Sequence, residues 1–189
     1  MTSTDRRYFD DAYETSRDPW NVSTSSYERR KYELTLSSLP RERYRSAFEP
    51  GCSIGVLSEH LARRCDRLLC TDITPVALDQ ASSRLAGLPH VSVEQMAIPE
   101  SWPHEEFDLI VLSEVAYYFD ARTLANVTAS VVESTTPGAH VMGVHWRGET
   151  DYPLTADEVH GQISACRQLH RVVHHLEELF VLDVWERTS

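Results

Sequence analysis

From residue 47 onward the chain alternates short apolar runs with amphipathic stretches. Segments 45–49, 67–72, 91–96, 107–112 and 139–146 read as strands, and 54–64, 74–85, 120–134 and 155–165 as helices. Ile54, Leu57 and Leu61 recur at i, i+3 and i+7, and Arg63 and Arg64 suit the end of that helix. The 107–112 run is apolar almost throughout, as in a strand covered on both faces. Pro75 falls in the first turn of its helix, and Pro137-Gly138 reads as a turn. Thr155 with Glu158 three residues later forms a capping box. The last two runs, 169–176 and 179–186, are separated only by Glu177-Glu178. So short a link demands an antiparallel hairpin, because a parallel pair needs a crossover. The order β-α-β-α-β, then β-α-β, predicts an α/β fold with a mostly parallel sheet and helices on both faces.

The first 45 residues follow another pattern. Thr2 to Ser26 is polar and rich in turn-forming residues, with Trp20 as its bulky apolar anchor. A helix over 27–39 follows, capped by Ser25 or Ser26 and ended before Pro40. The expected organisation is one domain of 1–189, with 1–45 as an N-terminal lid segment and 46–189 as the core.

Composition narrows the classes. Apolar residues make up 41% and charged residues 25% of the 189, which excludes a disordered chain, a collagen-like repeat and a disulfide scaffold. Lys and Arg number 18 against 29 Asp and Glu, a net charge of −11, so nucleic acid and an anionic membrane are not expected partners. No run is long and apolar enough for a spanning helix, and the polar start lacks a signal-peptide core, so the expected compartment is the cytoplasm. Cys52, Cys65, Cys70 and Cys166 show no metal-ligand spacing and read as reduced thiols, three of them buried.

The sharpest chemical signal follows the first strand: Glu49-Pro50-Gly51-Cys52-Ser53-Ile54-Gly55. Gly51 permits a tight turn, Ser53 is small enough for a ligand to approach the backbone, and Gly55 permits close helix packing. Asp72, at the end of the second strand and about 20 residues beyond Gly51, is placed to accept from both hydroxyls of a ribose. G-x-S-x-G with an acid two residues ahead resembles the first motif of S-adenosylmethionine-dependent methyltransferases of the Rossmann-like class I. That resemblance implies a seven-stranded sheet in the order 3-2-1-4-5-7-6 with an antiparallel last strand.

A narrower resemblance rests on longer strings. They are Asp18-Pro19-Trp20, Tyr27-Glu28-Arg29-Arg30-Lys31-Tyr32, the 49–55 motif, Phe107-Asp108-Leu109-Ile110-Val111-Leu112-Ser113-Glu114-Val115, Val144-His145-Trp146-Arg147 and Asp151-Tyr152-Pro153-Leu154-Thr155. Together they resemble the NodS-like (nodulation protein S) N-methyltransferase group over nearly the whole chain. The resemblance implies methylation of the free amine of a de-N-acetylated chito-oligosaccharide, with S-adenosylmethionine as donor and S-adenosylhomocysteine as product. Another amino sugar or natural-product small molecule is the alternative acceptor, and a non-catalytic cofactor-binding module the alternative class.

The same resemblance implies the contacts. Gly51, Ser53 and Gly55 form the loop on the methionine side, Asp72 holds the ribose, and Ile73 packs on the adenine. Met96, Ala97 and Ile98 line the adenine edge; many relatives carry an acid where this chain has Ala97. Ser113 faces the sulfur. Trp20, Tyr27 and Arg30 come from the lid, Arg30 toward the methionine carboxylate, with Lys31 as the alternative cation. An attacking amine must be neutral, and Glu114 and His145 are the candidate acceptor-site groups, beside Tyr117 and Tyr118. His145 alternates with Val144 and Trp146, which leaves a buried strand role equally open. His160, His170, His174 and His175 read as solvated histidines, Trp146 and Trp185 as core, and no metal site is read.

Overall fold

The computed structural model describes residues 2–189. Helices α1 (Arg6–Thr15) and α2 (Ser26–Ser37) precede β1 (Ala47–Pro50), α3 (Val56–Leu61), β2 (Leu68–Asp72), α4 (Pro75–Leu85) and β3 (Val91–Gln95). Then come β4 (Phe107–Ser113), α5 (Ala121–Glu133), β5 (Thr135–Trp146), α6 (Ala156–Ser164), β6 (Leu169–Leu176) and β7 (Phe180–Arg187). The seven strands form one sheet in the order β3-β2-β1-β4-β5-β7-β6. β7 runs antiparallel to both β5 and β6, and the other pairs are parallel. This is the expected class I order.

Alternation along β4 divides the core. Leu109 and Val111 pack with Leu57, Leu61, Ala81 and Leu85 on the face covered by α3 and α4. Ile110 and Leu112 pack with Leu124, Val127, Val159 and Trp185 on the face covered by α5 and α6. Six consecutive buried residues, Phe107 to Leu112, match a strand covered on both sides.

Three segments depart from the sequence reading. α1 lies inside the stretch read as turn-rich. Asp5 caps it by accepting from the N–H of Arg7, and Phe9 and Tyr13 supply an i, i+4 apolar face. Pro137-Gly138 does not end a connection. β5 starts earlier, at Thr135, and absorbs the two residues in a register shift against β4. The helix read over 54–64 starts later, because Gly55 is its left-handed N-cap (φ +76°), and ends in a 3-10 turn at Ala62–Arg64.

Candidate functional site

The carboxyl ends of β1, β2 and β4 open into a cavity of about 830 Å³, closed on its outer side by residues of α1, α2 and the segment between them. Parallel strands in this order place a crevice where the connections diverge. On its inner wall the loop after β1 turns through Gly51 (φ +72°) and Ser53 (φ +51°). A Cβ at Gly51 would lie 2.9 Å from Val115 Cγ2, so shape and conformation both call for glycine there. Asp72 pins the loop: one carboxylate oxygen accepts from the Ser53 N–H and the other from the Thr74 N–H, each at 2.9 Å. Burial pushes Asp72 up, against the lowering effect of those two bonds. Glu49 is buried beside it, and burial pushes its carboxyl up to about 7.

Ile73, Met96, Ala97 and Ile98 line the cavity, with Ala97 offering no side-chain acceptor. Trp20 and Tyr27 line it from the N-terminal side. So does Tyr13, whose hydroxyl lies 2.6 Å from Ser53 Oγ and whose ring meets Trp20 edge-on at 5.5 Å.

The opposite wall is built on Ser113 and Glu114, where β4 ends. Glu114 has φ +54°, a conformation that costs a non-glycine residue energy and is held by its surroundings. Its Oε1 accepts from Lys31 Nζ at 2.6 Å. Its Oε2 accepts from the Tyr117 hydroxyl at 2.5 Å and the Trp146 N–H at 3.0 Å. Lys31 also donates to Glu28 at 2.9 Å and lies 5.1 Å from the Tyr27 ring centroid. Burial works against its charge, but Glu114 and Glu28 outweigh it and hold Lys31 above its ordinary value. For Glu28 the balance reverses, and burial raises it despite Lys31. Tyr117 stacks on Tyr152 (4.9 Å, 26°), and Tyr118 and Phe9 continue an aromatic rim.

Residues 10–141 match the family described as Nodulation protein S (NodS). The chain belongs to the NodS family. It is 32% identical to nodulation protein S of Rhizobium tropici over 127 residues, 66% of this chain and 53% of that one. It is 37% identical to that of Bradyrhizobium diazoefficiens over 102 residues, 53% of this chain and 49% of that one. The chain thus spans about half the length of these curated relatives. Among solved structures it resembles N-methyltransferase NodS from Bradyrhizobium japonicum in complex with S-adenosyl-L-homocysteine, with a TM-score of 0.84 and 25% identity. That match covers 97% of this chain and 98% of that one. A putative methyltransferase from Pseudomonas syringae is 44% identical with a TM-score of 0.78, covering 86% of this chain and all of that one.

In this NodS-family chain three residues singled out from sequence lie elsewhere. Arg30 points away from the cavity and makes a two-pronged pair with Glu177 at 2.7 and 2.8 Å. One turn position on, Lys31 takes the inward face of α2 instead. Gly55 packs against α4, where a Cβ would sit 3.2 Å from Ala81, and does not line the cavity. His145 is fully buried behind the acceptor wall, with Nε2 occupied by the Ala116 N–H at 3.1 Å. Of the histidines read as solvated, His160 is buried and, like His174, meets Asp183.

Sequence reasoning missed Tyr13, Glu28 and Tyr152 as cavity residues. Phe9 and Tyr13, four apart after an Asp5 cap, were the available signal for the first. Tyr152 stands in one of the family-like strings, but nothing local marks it as reaching the cavity.

Proposed function

We propose that this protein is an S-adenosylmethionine-dependent N-methyltransferase whose acceptor is the free amine of a de-N-acetylated chito-oligosaccharide, acting in the cytoplasm. The observation that carries this reading is one cavity with two chemically distinct walls: a glycine loop with ribose-type acid, and a carboxylate–lysine–tyrosine cluster. Family membership supports it.

The residues present fit the cofactor. Gly51 leaves the backbone approachable, and Asp72 retains acceptor capacity beyond its two N–H bonds. Gly51 and Ser53 would hold the methionine part, Asp72 the ribose hydroxyls, and Ile73 with Met96, Ala97 and Ile98 the adenine. Tyr13 would brace the loop through Ser53. When bound, this cofactor supplies a methyl group already activated by its sulfonium.

The chain's own work is then alignment, exclusion of water and control of the acceptor's proton. Two carboxylates, Glu28 and Glu114, face one ammonium, Lys31, so the wall keeps one negative charge in excess. An acceptor amine arriving protonated is attracted there. Three donors already converge on Glu114 and fix its carboxylate in place, which makes it a good orienting acceptor. We therefore read Glu114 as holding the neutral amine by one hydrogen bond after its proton has left to solvent. The N-terminal segment through residue 45 serves as the lid, with α1 and α2 completing the cavity; Trp20 and Tyr27 are among its inward side chains, with Tyr13 and Lys31.

Calorimetric titration with S-adenosylhomocysteine tests the cofactor: binding in the micromolar range is expected, and none at high micromolar ligand overturns the reading. Methyl incorporation into tetra-glucosamine but not into N-acetylated chitotetraose is expected. Equal inactivity with both removes the chito-oligosaccharide while leaving the cofactor result standing.

A further inference from the structure

Behind the acceptor wall runs a line of buried polar side chains that methyl transfer does not itself use. It starts at the Ala116 N–H, which donates to Nε2 of His145. Nδ1 of His145 lies 3.0 Å from Nε2 of His160, and Nδ1 of His160 lies 2.8 Å from Oδ2 of Asp183. At the far end Oδ1 of Asp183 meets Nδ1 of His174 at 2.6 Å, and Arg171 approaches the carboxylate at 3.6 Å. His145 and Asp183 are 0% exposed and His160 4%. The line joins β5, α6, β7 and β6.

Counting protons fixes its state. A neutral imidazole carries a single N–H. Nε2 of His145 accepts from the Ala116 amide, so the proton of His145 sits on Nδ1. That N–H points at Nε2 of His160, which must therefore be bare. His160 then carries its own proton on Nδ1 and donates it to Asp183. The ring order is thus set from the carboxylate inward, each tautomer chosen by the bond its neighbour makes. Burial, with His160 beside it and Lys31 beyond, holds His145 well below its ordinary value and so in the neutral form. For Asp183, the bonds from His160 and His174 outweigh burial and keep the carboxyl below its ordinary range. The site is built to take these rings: a Cβ at Gly143 would lie 3.0 Å from Trp185 and 3.3 Å from His160.

The near end touches the backbone and the two donors on the Oε2 side of Glu114. Ala116 follows the strained Glu114 by two residues. Tyr117, the next residue, packs edge-on against His145 at 5.2 Å and donates to Glu114. Trp146, adjacent to His145, donates its backbone N–H to the same carboxylate.

We propose that His145, His160 and Asp183 form a positioning relay: Asp183 sets the tautomer of His160, His160 that of His145, and the bare Nε2 of His145 pins the Ala116 amide so that Glu114 and Tyr117 stay aimed at the acceptor amine. None of the three lines the cavity, so they act through Glu114 and are not catalytic residues. The relay rests on the acceptor role of Glu114 proposed above.

Two measurements test it on the full chain. Two-bond proton–nitrogen correlation spectra of histidine-labelled protein should show His145 and His160 both as Nδ1–H tautomers. Asp183→Leu should release His160 from that state. Nε2–H on His145 overturns the relay, and this readout needs no activity and no foldable variant of His145. The second measurement compares His145→Gln, whose side-chain oxygen still accepts from an amide, with His145→Phe. The glutamine variant should keep kcat within about threefold and the phenylalanine variant lose at least about tenfold, as expected for a displaced reacting geometry. Both should bind S-adenosylhomocysteine as the parent does. Equal loss in both variants, or a parallel loss of S-adenosylhomocysteine affinity, overturns the relay. If the parent itself transfers no methyl group, the functional reading falls, and the tautomers alone decide whether the relay exists.

Discussion

The two walls of the cavity are held in different ways. The cofactor wall is local: Gly51, Ser53 and Asp72 sit at the ends of adjacent strands, and the carboxylate of Asp72 ties down backbone N–H groups of its own and the neighbouring turn. The acceptor wall is long-range: Lys31 reaches Glu114 from 83 positions away, and Trp146 closes the cluster from another strand. One wall is a backbone shape with a side chain clipped to it. The other is a side-chain cluster whose members each depend on the rest. Damage to the first is expected to appear in cofactor binding, and damage to the second in stability.

The strongest way to break this contrast is Lys31→Met. It leaves Glu28 and Glu114 facing each other without their cation, both largely buried. Removing one partner of such a pair costs about 3 kcal/mol, the low end of the range because Glu114 keeps some solvent. In a chain of this size that lowers Tm by roughly 6–12 °C. Thermal unfolding at pH 8 checks it, and S-adenosylhomocysteine affinity should fall by less than about tenfold. A collapse of affinity with unchanged Tm would mean that Lys31 belongs to the cofactor wall.

Glu49→Gln probes the cofactor wall from beneath. The folded carboxyl stands at about 7, above its ordinary value of 4.5, so its proton binds more tightly in the folded chain. The stability it confers is full below about pH 4.5 and is lost as pH rises through 7. Glutamine keeps the neutral shape at every pH. The variant should match the parent near pH 4.5 and exceed it at pH 8 by on the order of 1–3 kcal/mol. Denaturant titrations of both proteins, free of ligand, at the two pH values check this; a variant-minus-parent difference that is the same at both would contradict it.

Asp72→Ala should act first on cofactor binding, beside a stability cost from the Ser53 and Thr74 N–H groups it leaves unmet. Losing charged hydrogen bonds to a ligand costs about 1.5–3 kcal/mol, or roughly 10–150-fold in affinity. Calorimetry with S-adenosylhomocysteine reads it directly. Unchanged affinity would show that the ribose-type acid is misplaced.

The same contrast explains what was legible in the sequence. The mostly parallel sheet and the cofactor wall follow from neighbours in the chain: a glycine turn after a strand, an acid at the end of the next strand, a hairpin too short to cross over; the strand order came from the methyltransferase resemblance. Glu114 was legible as the residue ending an apolar strand. Its pairing with Lys31 was not, because nothing local tells that Lys31 and not Arg30 faces inward from α2, and Tyr152 carries no local sign that its loop will stack on Tyr117. His145 shows the limit on a single strand. Alternation marked it as either inward or functional, and only the approach of His160 and the Ala116 amide fixes it as a buried acceptor. α1 escaped because its apolar face consists of few residues set among charges.

Arg30→Ala is the smallest expected effect and the most direct check on how α2 faces the cavity. Tyr27 and Arg30 share a helix face by spacing alone, which made Arg30 the natural cation for a methionine carboxylate. In the fold, Lys31 is 2% exposed and turned inward, while 54% of the Arg30 side chain is exposed and paired with Glu177 in the β6–β7 turn. Exposed pairs of this kind contribute little, so S-adenosylhomocysteine affinity should change by no more than about threefold. Glu177 is held down to about 2, first by its hydrogen bonds with Arg30 and then with His175, so removing Arg30 should raise its titration midpoint. Carboxyl-carbon NMR of Glu177 reads that rise. A large loss of cofactor affinity without it would put Arg30 at the cofactor wall and reverse the assignment of Arg30 and Lys31.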